Sequence, residues 1–280
     1  MTPNPYRDKN FKFANQAEAI LREAGIETRT CLAFDVDRNF ELPPNVVLHD
    51  LKRELRDADL LNCFGGDGTM LHASKAATKA GVPILGVNIG TMGFMTELES
   101  GEMQQLRRLA QDDYTLEERM MLQIRAIHEG QTVLEEVALN DAVITTGAVA
   151  RIVQMAVSCD DVEMMRFGGD GVILATPTGS TAYSMSAGGP IVEPAAENIV
   201  ITPICAHDMC TKAVVTSSHH TISVEIGRIG RKNAFLSVDG GRALRLSTGD
   251  RIEATRAAFT TKLVHLSNRG FFDIVKNKFK

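Results

Sequence analysis

Two glycine-rich segments hold most of the residues in this chain that could do chemistry. The first is Cys63-Phe64-Gly65-Gly66-Asp67-Gly68-Thr69, and the second runs from Gly171 to Pro190 as GVILATPTGSTAYSMSAGGP. Each follows a short apolar run and places small residues, a carboxylate or hydroxyls where a strand should end and a helix begin. Consecutive glycines let backbone N–H groups turn toward an anion, and a following helix N-terminus adds partial positive charge. Used twice, the arrangement suits phosphates or ribose hydroxyls held between two lobes.

The first segment is not a Rossmann fingerprint, whose third glycine would fall at Leu71, nor a P-loop, since no Gly-Lys-Ser/Thr follows. A carboxylate repels phosphate, so Asp67 suits a base or positioning group for a hydroxyl, or a metal partner. The plainer alternative is a strand-to-helix turn with Asp67 near an N-cap. In the second segment, Asp170-Gly171 precedes the hydroxyl-rich run from Thr176 to Ser184. Hydroxyls and free amides suit ribose or phosphate, and Tyr183 could stack on a planar ring. The alternative is a helix capped by Thr178 or Ser180 and ended by Gly188-Gly189. No G-x-S-x-G frame occurs, which disfavours a hydrolase elbow. Asn140-Asp141 follows the run Val133–Leu139; an adjacent amide and carboxylate can bridge vicinal hydroxyls, although such a pair is more often a turn.

The elements that must position these residues follow from periodicity. Phe13, Ala17, Ile20, Leu21 and Ala24 mark a helix face that Gly25 ends. Leu48, Leu51 and Leu55 suggest a second helix. Ala58–Phe64 reads as a buried parallel strand, Met70–Ala80 as a helix stopped by Gly81, and Pro83–Val87 as the next strand, a βαβ unit. After Leu109-Ala110 strand-like runs take over. Leu122–Arg125 and Thr221–Ile226 alternate, Asp160-Asp161 and Gly240-Gly241 read as turns, and Gly270–Lys280 reverts to helix. The expected fold is an α/β N-terminal lobe, Rossmann-like and carrying the GGDGT loop, over residues 1–96 and joined by a C-terminal helix at 262–280. A β-rich C-terminal lobe spans 97–261.

The 280 residues suit two domains, and 44% hydrophobic with 23% charged residues is a globular composition. A net charge of -5 without a dense Lys/Arg cluster excludes nucleic acid as an expected partner. No run approaches the ~18 apolar residues of a membrane span, and MTPNPYRDKN lacks the apolar core of a signal peptide. Cys31, Cys63, Cys159, Cys205 and Cys210 are odd in number and scattered, which fits a cytoplasmic location. Cys205, His207 and Cys210 are a weak metal candidate, because zinc sites usually need four well-spaced ligands. His219-His220 reads as a turn.

Together these residues carry a resemblance to the NAD kinases of bacterial type. It rests on Asn4-Pro5, GGDGT, Asn140-Asp141, TPTGSTAYSMSAGGP, His207, Ser237-Val238-Asp239-Gly240 and the FFD near the end, and covers essentially the whole chain. GGDGT alone is shared with diacylglycerol-type lipid kinases; the TPTGSTAY segment is specific to NAD kinases. The resemblance implies phosphorylation of the adenosine-ribose 2′-hydroxyl of NAD to NADP. The donor would be ATP or polyphosphate, with Mg²⁺ or another divalent metal, in a homodimer or homotetramer. It casts Asp67 as the base and Gly65, Gly66, Gly68 and Thr69 as the phosphate loop. Asn140 and Asp141 would hold ribose hydroxyls. Asp170, Thr181, Ala182, Tyr183, Ser184 and Ser186, with Arg151 and Cys205, would line the NAD site alongside Asp67 and Gly68. It assigns no metal ligand.

The chain departs from the family in four places. Asp141 stands where glutamate is usual, Gly168 where arginine is frequent (Arg166 being a possible substitute), Gly241 where glutamine is frequent, and little precedes Asn4-Pro5 where a strand is expected. Neither glycine segment contains a cation, and the nearest in sequence are Lys75 and Arg166, so a metal and backbone amides are expected to meet the triphosphate charge. Two other classes stay open. A lipid kinase would want a basic amphipathic stretch, and none is present; a non-catalytic NAD-binding regulator would gain nothing from Asp67.

Overall fold

Short, largely apolar and fully buried strands build the first half of the molecule. In the computed structural model, which describes all residues except 35, 38–39, 45, 91–92, 148–151, 209–210, 229–232, 268 and 279–280, the chain divides into two compact units. One comprises Met1–Glu118 with Thr261–Lys280, the other Arg119–Thr260.

The first unit contains β1 (Thr2–Pro3), β2 (Thr30–Cys31), β3 (Leu48–His49), β4 (Leu61–Gly65), β5 (Ile84–Asn88) and β6 (Leu98–Glu99). β1, β4, β5 and β6 run side by side and parallel, while β2 and β3 form a separate parallel pair. Every residue of β4 and β5 is buried, which is why both read as continuous apolar runs. The strand expected before Asn4-Pro5 is present as β1, in register Thr2 to Cys63 and Pro3 to Phe64.

Helix α1 (Lys12–Glu23) buries Ala14, Ala17, Ile20 and Leu21. It closes in a Schellman turn, with Gly25 at φ 82° and the Ile26 N–H donating to the Leu21 carbonyl at 2.9 Å. The second expected helix shrinks to one turn, α2 (Leu51–Glu54), because the Asp50 side chain caps it by accepting from the Arg53 N–H; Leu48 belongs to β3 instead. α3 (Asp67–Ala80) ends at Gly81.

The expected lobe boundary at 96/97 differs from the division at 118/119. Leu98 in β6 pairs with Val87, and the 3₁₀ helix Met103–Gln111 buries Met103 and Leu106 in the core beneath α1.

β7 (Thr115–His128) leads into the second unit, which continues with β8 (Gln131–Ala138), β9 (Asp141–Thr146), β10 (Val153–Cys159), β11 (Val162–Gly169) and β12 (Gly171–Ala175). The one-turn helix α4 (Tyr183–Ser186) follows, then β13 (Asn198–Ile204), β14 (Val214–Ser217), β15 (Ile222–Ile226), β16 (Ala234–Val238) and β17 (Leu244–Leu246). β18 (Arg251–His265) returns the chain to the first unit, where Leu263 pairs with Ile84, and α5 (Phe271–Lys278) follows.

One antiparallel sheet of the second unit has the order β14-β13-β12-β9-β16-β17. A facing layer contains β18, β15, β10 and β11. Val153, Met155, Val157, Ile222 and Val224 from the second layer pack on Val172, Leu174, Ile199 and Ile201 from the first, a sandwich core. The other face of β12, Ile173 and Ala175, is also covered, with Ala187 and Val192 packed near it, so β12 is apolar throughout. No helix among the described residues is long and apolar enough to cross a membrane.

Candidate active site

β4 delivers the chain to Gly66, which occupies the N-cap of α3 and makes Asp67 its first helical residue. The Asp67 carboxylate does not cap its own helix. It turns to the following loop, accepting from the Phe94 N–H at 2.7 Å and the Met95 N–H at 3.0 Å, one per oxygen. Each oxygen retains a second lone pair. Gly93 makes this approach possible, because a Cβ there would lie 2.0 Å from Asp67 Oδ1. Asn4 ties the loop from the other side. Its amide donates to Thr69 Oγ1 at 2.9 Å, and its Oδ1 accepts from the Tyr6 and Arg7 N–H groups.

These residues line an open cavity of about 590 Å³ with Gly66, Gly68, Phe34, His72, Gly93, Tyr6, Arg7 and Lys278. Half-buried Asp67 is its acidic group; Arg7, Lys278 and, when protonated, His72 are its cationic ones. The sequence expectation left the triphosphate charge largely to a divalent metal and backbone amides; these side chains line the cavity in addition. The Arg7 guanidinium lies beside Gly66 and Gly90, and the Lys278 ammonium sits 4.7 Å over the Phe94 ring. Both are remote in sequence from GGDGT, which is why motif reading missed them; the proximity of Arg7 to Asn4-Pro5 was the only local signal. Lys75 does not line the cavity, and Arg166 is an exposed surface residue whose guanidinium bonds Glu163.

The second unit gathers its own cluster at one sheet end. Asp141 opens β9 opposite Ala175 of β12, and Ala142 lies opposite Val238 of β16. The register therefore brings Asn140-Asp141, the Thr176–Thr181 segment and Asp239 together. Gly179 packs directly on Asn140, where a Cβ would meet the Asn140 carbonyl oxygen at 2.0 Å. Thr176, rather than Thr178 or Ser180, caps the 3₁₀ helix Thr178–Thr181, accepting from the Gly179 N–H at 3.0 Å and donating to the Leu139 carbonyl. Asp239 accepts from the N–H groups of Leu139, Asn140 and Asp141 at 2.8, 2.9 and 3.0 Å. That anchoring role was invisible in the sequence, where Asp239 was one letter of a motif.

Asp141 is buried, and its carboxyl is pushed up to about 7 by burial and then by the neighbouring Asp239 charge. Asn140 Oδ1 is buried without a hydrogen-bond partner among the described residues. A buried acceptor without a donor and a carboxylate held near neutrality are high-energy features that a hydroxyl-bearing ligand would relieve.

Asp170 joins the neighbouring edge, its N–H donating to the Ile204 carbonyl just before exposed Cys205, and His207 donates its N–H to the Gly168 carbonyl. Thr181 and Ala182 are half-buried, and Tyr183 and Ser186 are exposed. Ser184 is fully buried, with its hydroxyl bonded to Thr202 Oγ1 at 2.7 Å. A side chain at Gly168 would collide with Gln154 and Ile152, so the position has no room for the arginine frequent in the family. Arg151 lies outside the described residues, as does Cys210 of the weak metal candidate. Among the described residues, Cys159, Asp160 and His220 are near enough to share an ion, but His220 Nδ1 and Asp160 Oδ2 already bond each other at 2.5 Å.

Residues 13–114 match the ATP-NAD kinase N-terminal domain and residues 139–266 the ATP-NAD kinase C-terminal domain. An NAD kinase of Ruminiclostridium cellulolyticum is 35% identical over 277 residues, 98% of this chain and 95% of that protein. One of Symbiobacterium thermophilum is 41% identical over 227 residues, 79% of this chain and 78% of that protein. Among solved structures, yeast NADH kinase complexed with NADH superposes with a TM-score of 0.84 at 25% identity, covering 100% of this chain and 85% of that one. An NAD kinase from Archaeoglobus fulgidus in complex with ATP does so at 0.74 and 25% identity, covering 95% and 94%. With both domains matched in order and a relative aligned over nearly its full length, the chain belongs to the ATP-NAD kinase family.

Proposed function

We propose that this NAD kinase uses ATP as donor and Asp67 as the group that receives the proton. The bond from the ribose O2′ of NAD to the γ-phosphorus forms, the bond from that phosphorus to the β–γ bridging oxygen breaks, and the 2′-hydroxyl proton passes to Asp67. Such transfers rest on positioning and charge stabilisation more than on covalent chemistry. The observation that carries the reading is the Asp67 carboxylate, pinned by two amides in a cavity that also holds Arg7 and Lys278. The cations and the α3 N-terminus receive the donor phosphates, and Asp67 orients the hydroxyl.

The cavity's chemistry suits a hard divalent ion. Mg²⁺ keeps several waters and takes one or two carboxylates together with substrate phosphates. Asp67 is the carboxylate lining the cavity. Bound there with the nucleotide, the ion would supply charge neutralisation on the β- and γ-phosphate oxygens.

In the second unit, Asn140 and Asp141 hold ribose hydroxyls of NAD, and Asp170, Thr181, Ala182, Tyr183, Ser186 and Cys205 form the surrounding contacts. Ser184 serves the fold instead. A homo-oligomer in the cytoplasm is the setting expected of it.

The test is Asp67→Asn, assayed for NADP formation from NAD, ATP and Mg²⁺. A positioned base is worth ~10²–10⁴-fold in rate. The variant is expected to lose that much turnover while retaining its fold and NAD binding; near-wild-type turnover sinks the assignment.

A further inference from the structure

The loop that pins Asp67 is itself held by an ion triad of buried Glu97 with half-buried His265 and Glu117. Its hub is His265, the last residue of β18. One ring nitrogen, Nδ1, lies 2.8 Å from Glu97 Oε2, and the other, Nε2, lies 2.7 Å from Glu117 Oε2. A neutral imidazole has one donor and one acceptor nitrogen, so it cannot serve two carboxylates; the imidazolium donates to both. Hydrogen bonds donated to Glu117 and Glu97 outweigh burial and push the His265 pKa up to about 9. Glu97 is 5% exposed, and its other oxygen accepts from the Leu266 and Ser267 N–H groups at 2.9 and 2.6 Å. Burial alone would raise the Glu97 carboxyl, but bonds from His265 and Ser267 leave it below its usual range. Arg108, from the 3₁₀ helix, is a further charge near Glu97; it donates to the Leu266 carbonyl and pairs with Asp113.

Glu97 lies two residues beyond Met95. Its own N–H donates to the Gly86 carbonyl at 2.9 Å, so the segment from Gly93 to Glu97 is fixed at its far end on β5 and β18, and its near end holds Asp67. We infer that His265 is a positioning residue for phosphoryl transfer, its doubly bonded imidazolium holding the Gly93–Glu97 segment where the Phe94 and Met95 amides fix the Asp67 carboxylate. The inference rests on the reading of Asp67 as proton acceptor. Removal of the charge leaves Glu97 as a buried carboxylate without its counter-ion, and the segment shifts to hydrate it. Asp67 then loses its fixed aim, which lowers kcat and leaves NAD affinity, carried by the second unit, intact.

The sign of the pH dependence follows from the raised value. The imidazolium is fully present below the ordinary histidine pKa and is lost as pH rises through about 9. Wild-type kcat is therefore expected to fall on the alkaline side near that pH. An arginine at 265 stays charged throughout.

The experiment compares His265→Gln, His265→Arg and Asp67→Asn with wild type, measuring kcat, KM for NAD and for ATP across pH 7–10, with thermal melts. His265→Gln is expected to lower kcat ten- to hundredfold with KM for NAD within about twofold. His265→Arg is expected to restore most of kcat and to carry activity past the wild-type alkaline fall. Wild-type kcat in His265→Gln, or an alkaline limb that His265→Arg leaves unmoved, overturns the inference. So does a lowered melting temperature with unchanged kcat in the folded fraction. If His265→Gln does not fold, the profile of His265→Arg decides alone. Turnover retained in Asp67→Asn is the separate failure of the proton-acceptor reading.

Discussion

Asp141 shows what a single buried carboxyl can do to both affinity and stability. Its pKa of about 7 lies above the unfolded value of 3.8, so the folded state favours the protonated form. Fold stability is fully present below the unfolded value and declines as pH rises through about 7, by up to about 4 kcal/mol. Asp141→Asn mimics the protonated carboxyl and is expected to raise the melting temperature at pH 8, checked by calorimetry at pH 5 and pH 8. The same change removes a charged acceptor worth ~1.5–3 kcal/mol to a ribose hydroxyl, so KM for NAD should rise roughly ten- to a hundredfold. In wild type, kcat/KM for NAD should fall below about pH 7, and that acid limb should be missing in Asp141→Asn; an unchanged limb removes Asp141 from NAD binding. Arg7 is expected to serve the other substrate. Arg7→Ala should raise KM for ATP by about tenfold while KM for NAD stays put, because the guanidinium lies beside the glycine loop.

At the scale of elements, the sharpest requirement is the close approach of the 3₁₀ turn at Gly179 to Asn140. Gly179→Ala forces a Cβ to within 2.0 Å of the Asn140 carbonyl oxygen, so the two segments must separate. Overpacking of this kind costs ~1–3 kcal/mol, and the expected outcome is a lower melting temperature with a raised KM for NAD. The elements legible in the sequence were those that bury a periodic or largely apolar pattern. α1, α3, β4, β5 and β12 are of that kind. Those that escaped obey other forces. Leu48, expected on a helix, lies in a two-residue strand set by pairing with Thr30. The site was legible where chemistry sits in one segment, as in GGDGT or Asn140-Asp141. It was illegible where the fold imports a side chain from elsewhere: Arg7, Lys278 and His265 carry no local motif, and the anchoring by Asp239 appears only once β9 and β16 are in register.

Across the whole molecule the charges set a further expectation. The chain carries a net charge of -5, and the cavity offers Arg7 and Lys278 as permanent cations, fewer positive charges than a nucleoside triphosphate has negative ones. Rigorous chelation should therefore abolish turnover and Mg²⁺ should restore it; full activity in excess chelator contradicts this charge account. The division of the chain has a different consequence, one of timing. The second unit is continuous, Arg119–Thr260, whereas the first begins at Met1 and needs Thr261–Lys280 to be whole. During synthesis at ~5–20 residues per second, the first unit must wait roughly 7–30 s after Glu118 is made before its closing strand and helix emerge. The unit that starts first finishes last. A chain that stops short of Phe271 already carries the glycine loop and Asp67 but lacks Lys278, so the cavity around Asp67 is incomplete in it.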